Sequence, residues 1–246
     1  MKRLIIADSH VGQRAGDVAE MSNLVARGAA GGVGEIIYLG DGFQYLIGMS
    51  KFWTSGLTEV MVGWRAARSR GVRIGVVEGN RDFFLDEKDL DGELDWSGRS
   101  YEFTAGSRRY RLVHGDLVNR RDLQYRFWSG ISKSNVARLW ARLLPRPVAI
   151  DIVRRMEAHI ASTNRKFRYT KPIEDLRRSA AEAWADGVDV LFWGHFHTAW
   201  ECREGDRLAI IIPAWLETRC AVLVAEDGSW EYVDSTLSPT VPRTNV

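Results

Sequence analysis

Five short apolar runs, each followed at once by a block of His, Asp, Asn and Gly, constrain this chain more than any other feature. The runs are Leu4-Ile5-Ile6-Ala7, Glu35-Ile36-Ile37-Tyr38-Leu39, Arg73-Ile74-Gly75-Val76-Val77, Tyr110-Arg111-Leu112-Val113 and Val188-Asp189-Val190-Leu191-Phe192-Trp193. They are rich in β-branched and aromatic residues, the composition of buried strands. The blocks read Asp8-Ser9-His10, Gly40-Asp41, Gly79-Asn80-Arg81-Asp82, His114-Gly115-Asp116 and Gly194-His195-Phe196-His197. Segments with helical spacing at 17–30 and 58–70 separate the early runs, so an α/β fold with a sheet parallel at its centre is expected. Open sheets of that kind bind ligands beyond the carboxyl ends of their strands. Five such ends bring all the candidate ligands to one rim.

Imidazole nitrogens and carboxylate oxygens together suit divalent ions such as Mn, Fe, Ni and Zn. Gly stands before Asp41, Asn80 and His195, and a side chain reaches a metal from a strand end only where the chain turns sharply, which Gly permits at little steric cost. One Gly-Asp pair is an ordinary turn, and a lone His at a strand end is ordinarily a core or surface residue. Five blocks in this order are what point to a dinuclear centre. Two cations about 4 Å apart clamp a phosphoryl group and bring the pKa of a water down toward neutrality. In-line attack on phosphorus then asks the protein for positioning and charge neutralisation.

The ordered set Asp-x-His, Gly-Asp, Gly-Asn-Arg-Asp, His-Gly-Asp and Gly-His-x-His resembles that of the calcineurin-like metallophosphoesterases over residues 4–198. The resemblance implies a two-sheet α/β sandwich flanked by helices. It implies one metal held by Asp8, His10 and His197, a second held by Asn80, His114 and His195, and Asp41 bridging them. Asn80, Arg81 and His114 take catalytic roles on the same basis. Arg81 stands where many members carry a His that protonates the leaving group; arginine stays charged and cannot do so, but it can fork onto two phosphate oxygens. A phosphate or nucleotide leaving from a pyrophosphate needs no such proton. The plainer alternative makes Arg81 a structural partner of Asp82, while Asp82 itself is expected to orient a ligand or Arg81.

Gly79-Asn80-Arg81-Asp82-Phe83 narrows the resemblance to the UDP-2,3-diacylglucosamine pyrophosphohydrolases of lipid A synthesis. Phe43, Gly48 and the Gln124-Tyr125-Arg126 segment agree with that branch. It implies hydrolysis of UDP-2,3-diacylglucosamine to UMP and 2,3-diacylglucosamine 1-phosphate with two divalent ions, Mn foremost and Fe, Ni or Zn as alternatives. Arg81, Tyr125, Asn164 and Lys166 are the implied substrate contacts. Ser9 replaces a usual Leu, Gln44 a common acidic residue and Phe196 a usual Thr, and Glu157 and Ile160 stand where a basic and a hydroxyl residue are expected. None of these removes a metal ligand. Two other readings remain open: the same machinery acting on another nucleotide diphosphate, phosphodiester or nucleic acid, and a non-catalytic binding module. The filled ligand positions weigh against the module.

Residues 117–182 hold fifteen Lys and Arg against six Asp and Glu, a net of +9; the whole chain is +2, leaving −7 elsewhere. Val136, Leu139, Trp140, Leu143 and Leu144 fall at i, i+3, i+4, i+7 and i+8, with Arg138 and Arg142 on another face. That spacing predicts a helix over 135–144, ended by Pro145 and Pro147. A second helix is expected over 148–166, with Ile152, Val153, Met156 and Ile160 on its apolar side. Together they form an expected helical cap insertion at about 120–172, within a single catalytic domain spanning 1–246. In one reading Phe127, Trp128, Ile131 and Trp140 line an acyl-chain groove while the arginines meet an anionic membrane surface. In the other the apolar stripe packs onto the sheet and the arginines are solvated. A nucleic-acid partner is disfavoured, since these aromatics are spaced for packing rather than for stacking on bases.

At 246 residues and 45% hydrophobic content the chain can bury a full α/β core and still carry such a cap. The apolar stretch after Met1-Lys2-Arg3 is too short for a signal peptide, and no run approaches the ~18 to 20 residues of a membrane span. A cytoplasmic protein is expected, peripheral at most on the inner face of the membrane. Cys202 and Cys220 are expected to be free thiols. The runs at 208–212, 220–224 and 230–233 are expected as antiparallel strands completing a second sheet, and 237–246 as a loose tail. Nothing in the sequence indicates an oligomeric state.

Overall fold

The computed structural model describes residues 1–163 and 171–242, the side chains of 154 and 156–163 excepted. Its strands are β1 (Lys2–Ile6), β2 (Val33–Leu39), β3 (Leu46–Ile47), β4 (Arg73–Val77), β5 (Asp82–Phe83), β6 (Trp96–Gly98), β7 (Ser100–Ala105) and β8 (Arg108–Val113). They continue as β9 (Val190–Trp193), β10 (Glu201–Glu204), β11 (Arg207–Ile211), β12 (Ala221–Val224) and β13 (Trp230–Val233). The helices are α1 (Asp17–Ala30), α2 (Ser55–Arg68), α3 (Leu123–Ser132), α4 (Asn135–Leu143), α5 (Arg146–Thr163), α6 (Ile173–Ala185) and the short α7 (Trp215–Thr218).

Successive strand side chains point to opposite faces, and β1 shows what that builds. Leu4 and Ile6 join one core while Ile5 joins another, all fully buried. The first sheet runs β13-β12-β1-β2-β4-β6 and the second β10-β11-β9-β8-β7. Ile5, Ile37 and Val77 of the first sheet meet Tyr110, Leu112 and Phe192 of the second in a shared core. Outside the first sheet, α1 and α2 pack Met21, Leu24, Val60 and Trp64. Outside the second, α6 lays Leu176, Ala180 and Trp184 over Leu191 and Trp193. The result is a four-layer α/β/β/α sandwich.

β1, β2 and β4 are parallel, as are β8, β9 and β11. Their carboxyl ends therefore lie at one rim, as the sequence predicts. The last three strands depart from expectation. β12 and β13 form an antiparallel hairpin on the edge of the first sheet beside β1, not the second. Both faces of β12 are apolar, Val222 and Val224 toward the shared core and Ala221 toward the helices, so it needs a position covered on both sides. β11 does join the second sheet, but parallel to β9. Residues 237–242 are tied down rather than loose, through the Val233–Pro239 bridge and the Thr240 amide donating to the Tyr232 carbonyl at 2.9 Å.

Between β8 and α6 stand α3, α4 and α5. Ser134 caps α4, its hydroxyl accepting from the Ala137 amide at 3.2 Å. Pro147 begins α5 rather than ending α4, because a missing amide proton costs nothing in a first turn. Apart from Leu144, the predicted apolar stripe at 135–144 does not pack inward. Ala137, Ala141 and Leu144 face the body, while Val136, Leu139, Trp140 and Leu143 are each 57% exposed or more. Two ion pairs explain the rotation: Arg138 grips Asp86 through both carboxylate oxygens, at 2.7 and 2.8 Å, and Arg142 meets Glu87 at 2.8 Å. On α3, Leu123, Phe127 and Trp128 are likewise exposed. Among the described residues, no helix is long and apolar enough to cross a membrane.

Candidate metal centre

Every block that follows a central strand reaches the same rim. Potential ligand atoms of Asp8, His10 and His197 all lie within 4.8 Å of one another, and so do those of Asp8, Asp41 and His114. Asn80 Oδ1 is 3.3 Å from His114 Nε2. The His195 ring packs edge-on against that of His114 at 5.1 Å, and its amide donates to Asp8 Oδ2 at 2.7 Å. The seven residues singled out by sequence are thus brought together. Asp8, not Asp41, is common to both compact groups.

Orientation is fixed from behind. The Nδ1 of His114 sits 3.0 Å from the Leu39 carbonyl, and the Nδ1 of His197 sits 3.0 Å from Glu217 Oε1. Each partner holds the Nδ1 proton and turns Nε2 inward, an arrangement typical of ligating histidines. Glu217 was invisible to sequence reasoning. It lies on α7, twenty positions past His197, and arrives because the Trp215 amide docks on the Ala7 carbonyl at 2.8 Å.

The backbone carries the strain of this convergence. Asp8, His10, Asp41, His195 and His197 adopt φ between 43° and 69°, a left-handed region that non-glycine residues rarely enter. Only three other non-glycine residues do so among the described residues. Such strain concentrates at functional sites. Gly40, with φ of 73°, turns the chain as the sequence predicts, but Gly79 and Gly194 do not: they provide room. A Cβ on Gly194 would collide with Asp8 Oδ2, and one on Gly79 with Asp41 Oδ1.

Carboxylates dominate the electrostatics. Burial pulls His114 down, but the Asp41, Asp8 and Asp116 charges and the Leu39 carbonyl lift it to about 9. Burial and the neighbouring His114 lower His195 to about 4, so it is a neutral imidazole. Burial pushes Asp8 up, yet the facing imidazoles of His197, His114 and His10 hold it well below the usual carboxylate range. Asp8 Oδ1 is buried and accepts no hydrogen bond among the described residues. An ionised, unsatisfied carboxylate oxygen among inward-facing imidazoles fits a cation, and the nitrogen–oxygen donor set fits a divalent one.

No protein-family model matches the chain. The UDP-2,3-diacylglucosamine hydrolase of Azotobacter vinelandii is 26% identical over 213 residues, covering 80% of this chain and 82% of that protein. The Pseudomonas putida enzyme of the same name is 25% identical over 200 residues, covering 79% and 81%. The chain is similar to these two hydrolases along four-fifths of its length. Among solved structures, an archaeal phosphodiesterase matches it with a TM-score of 0.49 at 13% identity, covering 95% of this chain and 99% of that one.

The other expected site residues have more varied places. Arg81 is buried against Asp41, not Asp82: its amide donates to Asp41 Oδ1 at 2.9 Å and its Nε lies 3.5 Å from Oδ2, while Nη1 donates to Gln44 at 2.8 Å. Asp82 accepts from the Asp41 amide at 3.0 Å and the Gly79 amide at 2.7 Å, so it orients both loops. Burial and the Asp41 charge raise its carboxyl. Tyr125 donates to Asp116 Oδ2 at 2.5 Å, and burial together with the Asp116 charge keeps the phenol protonated. Asn164 and Lys166 lie outside the described residues.

Proposed function

We propose that the chain is a metal-dependent phosphoesterase of the calcineurin-like kind and that it hydrolyses the pyrophosphate bond of UDP-2,3-diacylglucosamine, releasing UMP and 2,3-diacylglucosamine 1-phosphate. The observation that carries the reading is the outward apolar face of α3 and α4. A small water-soluble ester has no use for such a face, whereas a diacylated substrate does. The names of the curated relatives, matched along four-fifths of the chain, support the same substrate.

In this reading Asp8, His10 and His197 would hold one cation, and Asn80, His114 and His195 the other, with Asp41 offered to both. Two divalent ions supply Lewis acidity toward the phosphate oxygens and make water a nucleophile near neutral pH. Mn is the first candidate, with Fe, Ni and Zn compatible with the same donors. Arg81 forks onto phosphate oxygens and offsets charge as the bond to the leaving phosphate breaks; it donates no proton. Tyr125, fixed by Asp116, and the residues Asn164 and Lys166 bind the substrate. Helices α3 to α5 belong to the cap. Its exposed Trp140, Phe127 and Leu139 take acyl chains, and its arginines other than Arg138 and Arg142 meet the anionic inner face of the cytoplasmic membrane.

Release of UMP from UDP-2,3-diacylglucosamine, set against the deacylated analogue, tests the proposal. Acylated substrate should be turned over far faster at low micromolar concentration; equal rates would remove the lipid role. Replacing Phe127 and Trp140 together by Ser should lower kcat/KM for the lipid substrate by about tenfold or more. Each large apolar side chain contributes about 1.5 to 3 kcal/mol on burial. Turnover of an aryl phosphodiester should stay unchanged, and equal losses on both would assign these side chains to folding alone.

Protonation gives a second check. In the metal-free protein His114 keeps its proton up to about pH 9, and an imidazolium cannot ligate. Metal binding near neutral pH should therefore expel close to one proton, with affinity rising up to about pH 9 and levelling above it. The stability sign is opposite. Because the folded value exceeds the ordinary 6.5, the metal-free fold loses this contribution as pH rises from 6.5 through 9. Calorimetric titration in buffers of different ionisation enthalpy counts the proton, and a count near zero at pH 7 would contradict this.

A further inference from the structure

The cap is not mounted at random on the sandwich. Its ion pairs land on Asp86 and Glu87, in the stretch that continues directly from Gly79-Asn80-Arg81-Asp82. Lys51 donates to the Arg142 and Leu144 carbonyls at 2.8 and 2.9 Å, holding the carboxyl end of α4 to the same region. One contact goes further in. Lys133, which terminates α3, donates through Nζ to the Gly79 carbonyl at 2.7 Å, with Glu78 Oε2 at 3.9 Å and the Phe83 ring 5.6 Å away. Its side chain is only 12% exposed. A lysine is seldom buried to that degree without a specific partner, and here the partner is the peptide that carries Asn80.

We propose that Lys133 is a positioning residue for the metal centre: by fixing the Gly79 carbonyl it sets the Gly79–Asn80 peptide, and so makes the Asn80–His114 cation position depend on the docked cap. The inference rests on the two-cation reading above. Gly79 is held from both ends, its amide by Asp82 at 2.7 Å and its carbonyl by Lys133 at 2.7 Å. Asn80 follows with Oδ1 3.3 Å from His114 Nε2. The contacts of Lys133 fall on Glu78, Gly79 and Phe83, in the stretch that carries Asn80 rather than in those that carry Asp8, His10 and His197. Loss of the ammonium therefore acts on one cation position and spares the other.

Lys133→Met keeps the apolar stem over Phe83 and removes only the charge and its hydrogen bond. The test is Mn titration of the metal-free full-length protein by calorimetry, with thermal melting of the same samples. The wild type should bind two ions. In Lys133→Met the weaker event should fall by about tenfold or more, the usual effect of losing a residue that supports a ligand, while the other stays within about twofold. Lys133→Arg should recover most of the loss. Arg138→Ala, which frees α4 from Asp86 without touching Lys133, should weaken the same event. Two wild-type-like events in Lys133→Met overturn the inference and leave the two-cation reading standing. Equal weakening of both events, or a lowered melting temperature that Lys133→Arg does not restore, also overturns it by assigning Lys133 to the fold. A wild type that binds no Mn removes the two-cation reading itself.

Discussion

Replacing Asp8 by Asn is expected to empty both cation positions and to lower turnover of an aryl phosphodiester by a thousandfold or more. Asp8 belongs to both compact groups at the rim, so its charge bears on each position, beside that of Asp41. Asn keeps the shape and can still accept from the His195 amide at Oδ1, so the loop after β9 stays in place. The charge is what disappears. A bound Lewis acid contributes several kcal/mol to phosphoryl transfer, and each 1.36 kcal/mol is tenfold in rate. Asn80→Ala provides the contrast, since it touches only His114 among the proposed ligands and should remove one ion. Metal content after gel filtration, measured beside turnover, separates the two. An Asp8→Asn protein that retains two tightly held ions and turnover within tenfold of wild type would sink the assignment.

Much of this was legible because strand ends and ligands coincide in sequence. Alternating burial along Leu4, Ile5 and Ile6 places β1 between two cores, and the next residue but one is Asp8. Four more strands repeat the pattern, so the rim could be read without coordinates. The outward turn of α4 could not. Its periodic stripe, Val136, Leu139, Trp140 and Leu143, has the spacing of a packed face, and only the pairing of Arg138 and Arg142 with Asp86 and Glu87 shows which side meets the body. Those acidic partners lie more than fifty positions away, beyond the reach of local periodicity. Glu217 was hidden for the same reason, and so was the sheet that receives β12. Long-range choices among equally apolar edges leave no local mark. The left-handed backbone at Asp8, His10, Asp41, His195 and His197 also left none, because residue type alone disfavours it.

Gly40→Ala should be the most disruptive single-methyl addition at the rim. Gly40 has φ of 73°, which costs an alanine about 1 kcal/mol relative to glycine, and the added carbon would enter the His114 imidazole. That ring cannot retreat without giving up the Leu39 carbonyl behind it, and overpacking of this sort typically costs a further 1 to 3 kcal/mol. At roughly 2 to 4 °C per kcal/mol for a chain of this length, the melting temperature should fall by about 5 to 15 °C. Added Mn should restore little of it, because His114 is the group displaced. Gly130→Ala is the matched control: it lies within α3, and a methyl there meets open space. It should gain up to about 1 kcal/mol of helix propensity and leave Mn binding untouched. The comparison separates a glycine kept for the metal rim from one the fold merely tolerates. A Gly40→Ala protein that melts with its parent and binds two ions would mean that His114 is not seated against Leu39, and the orientation argued for its Nε2 would fail with it.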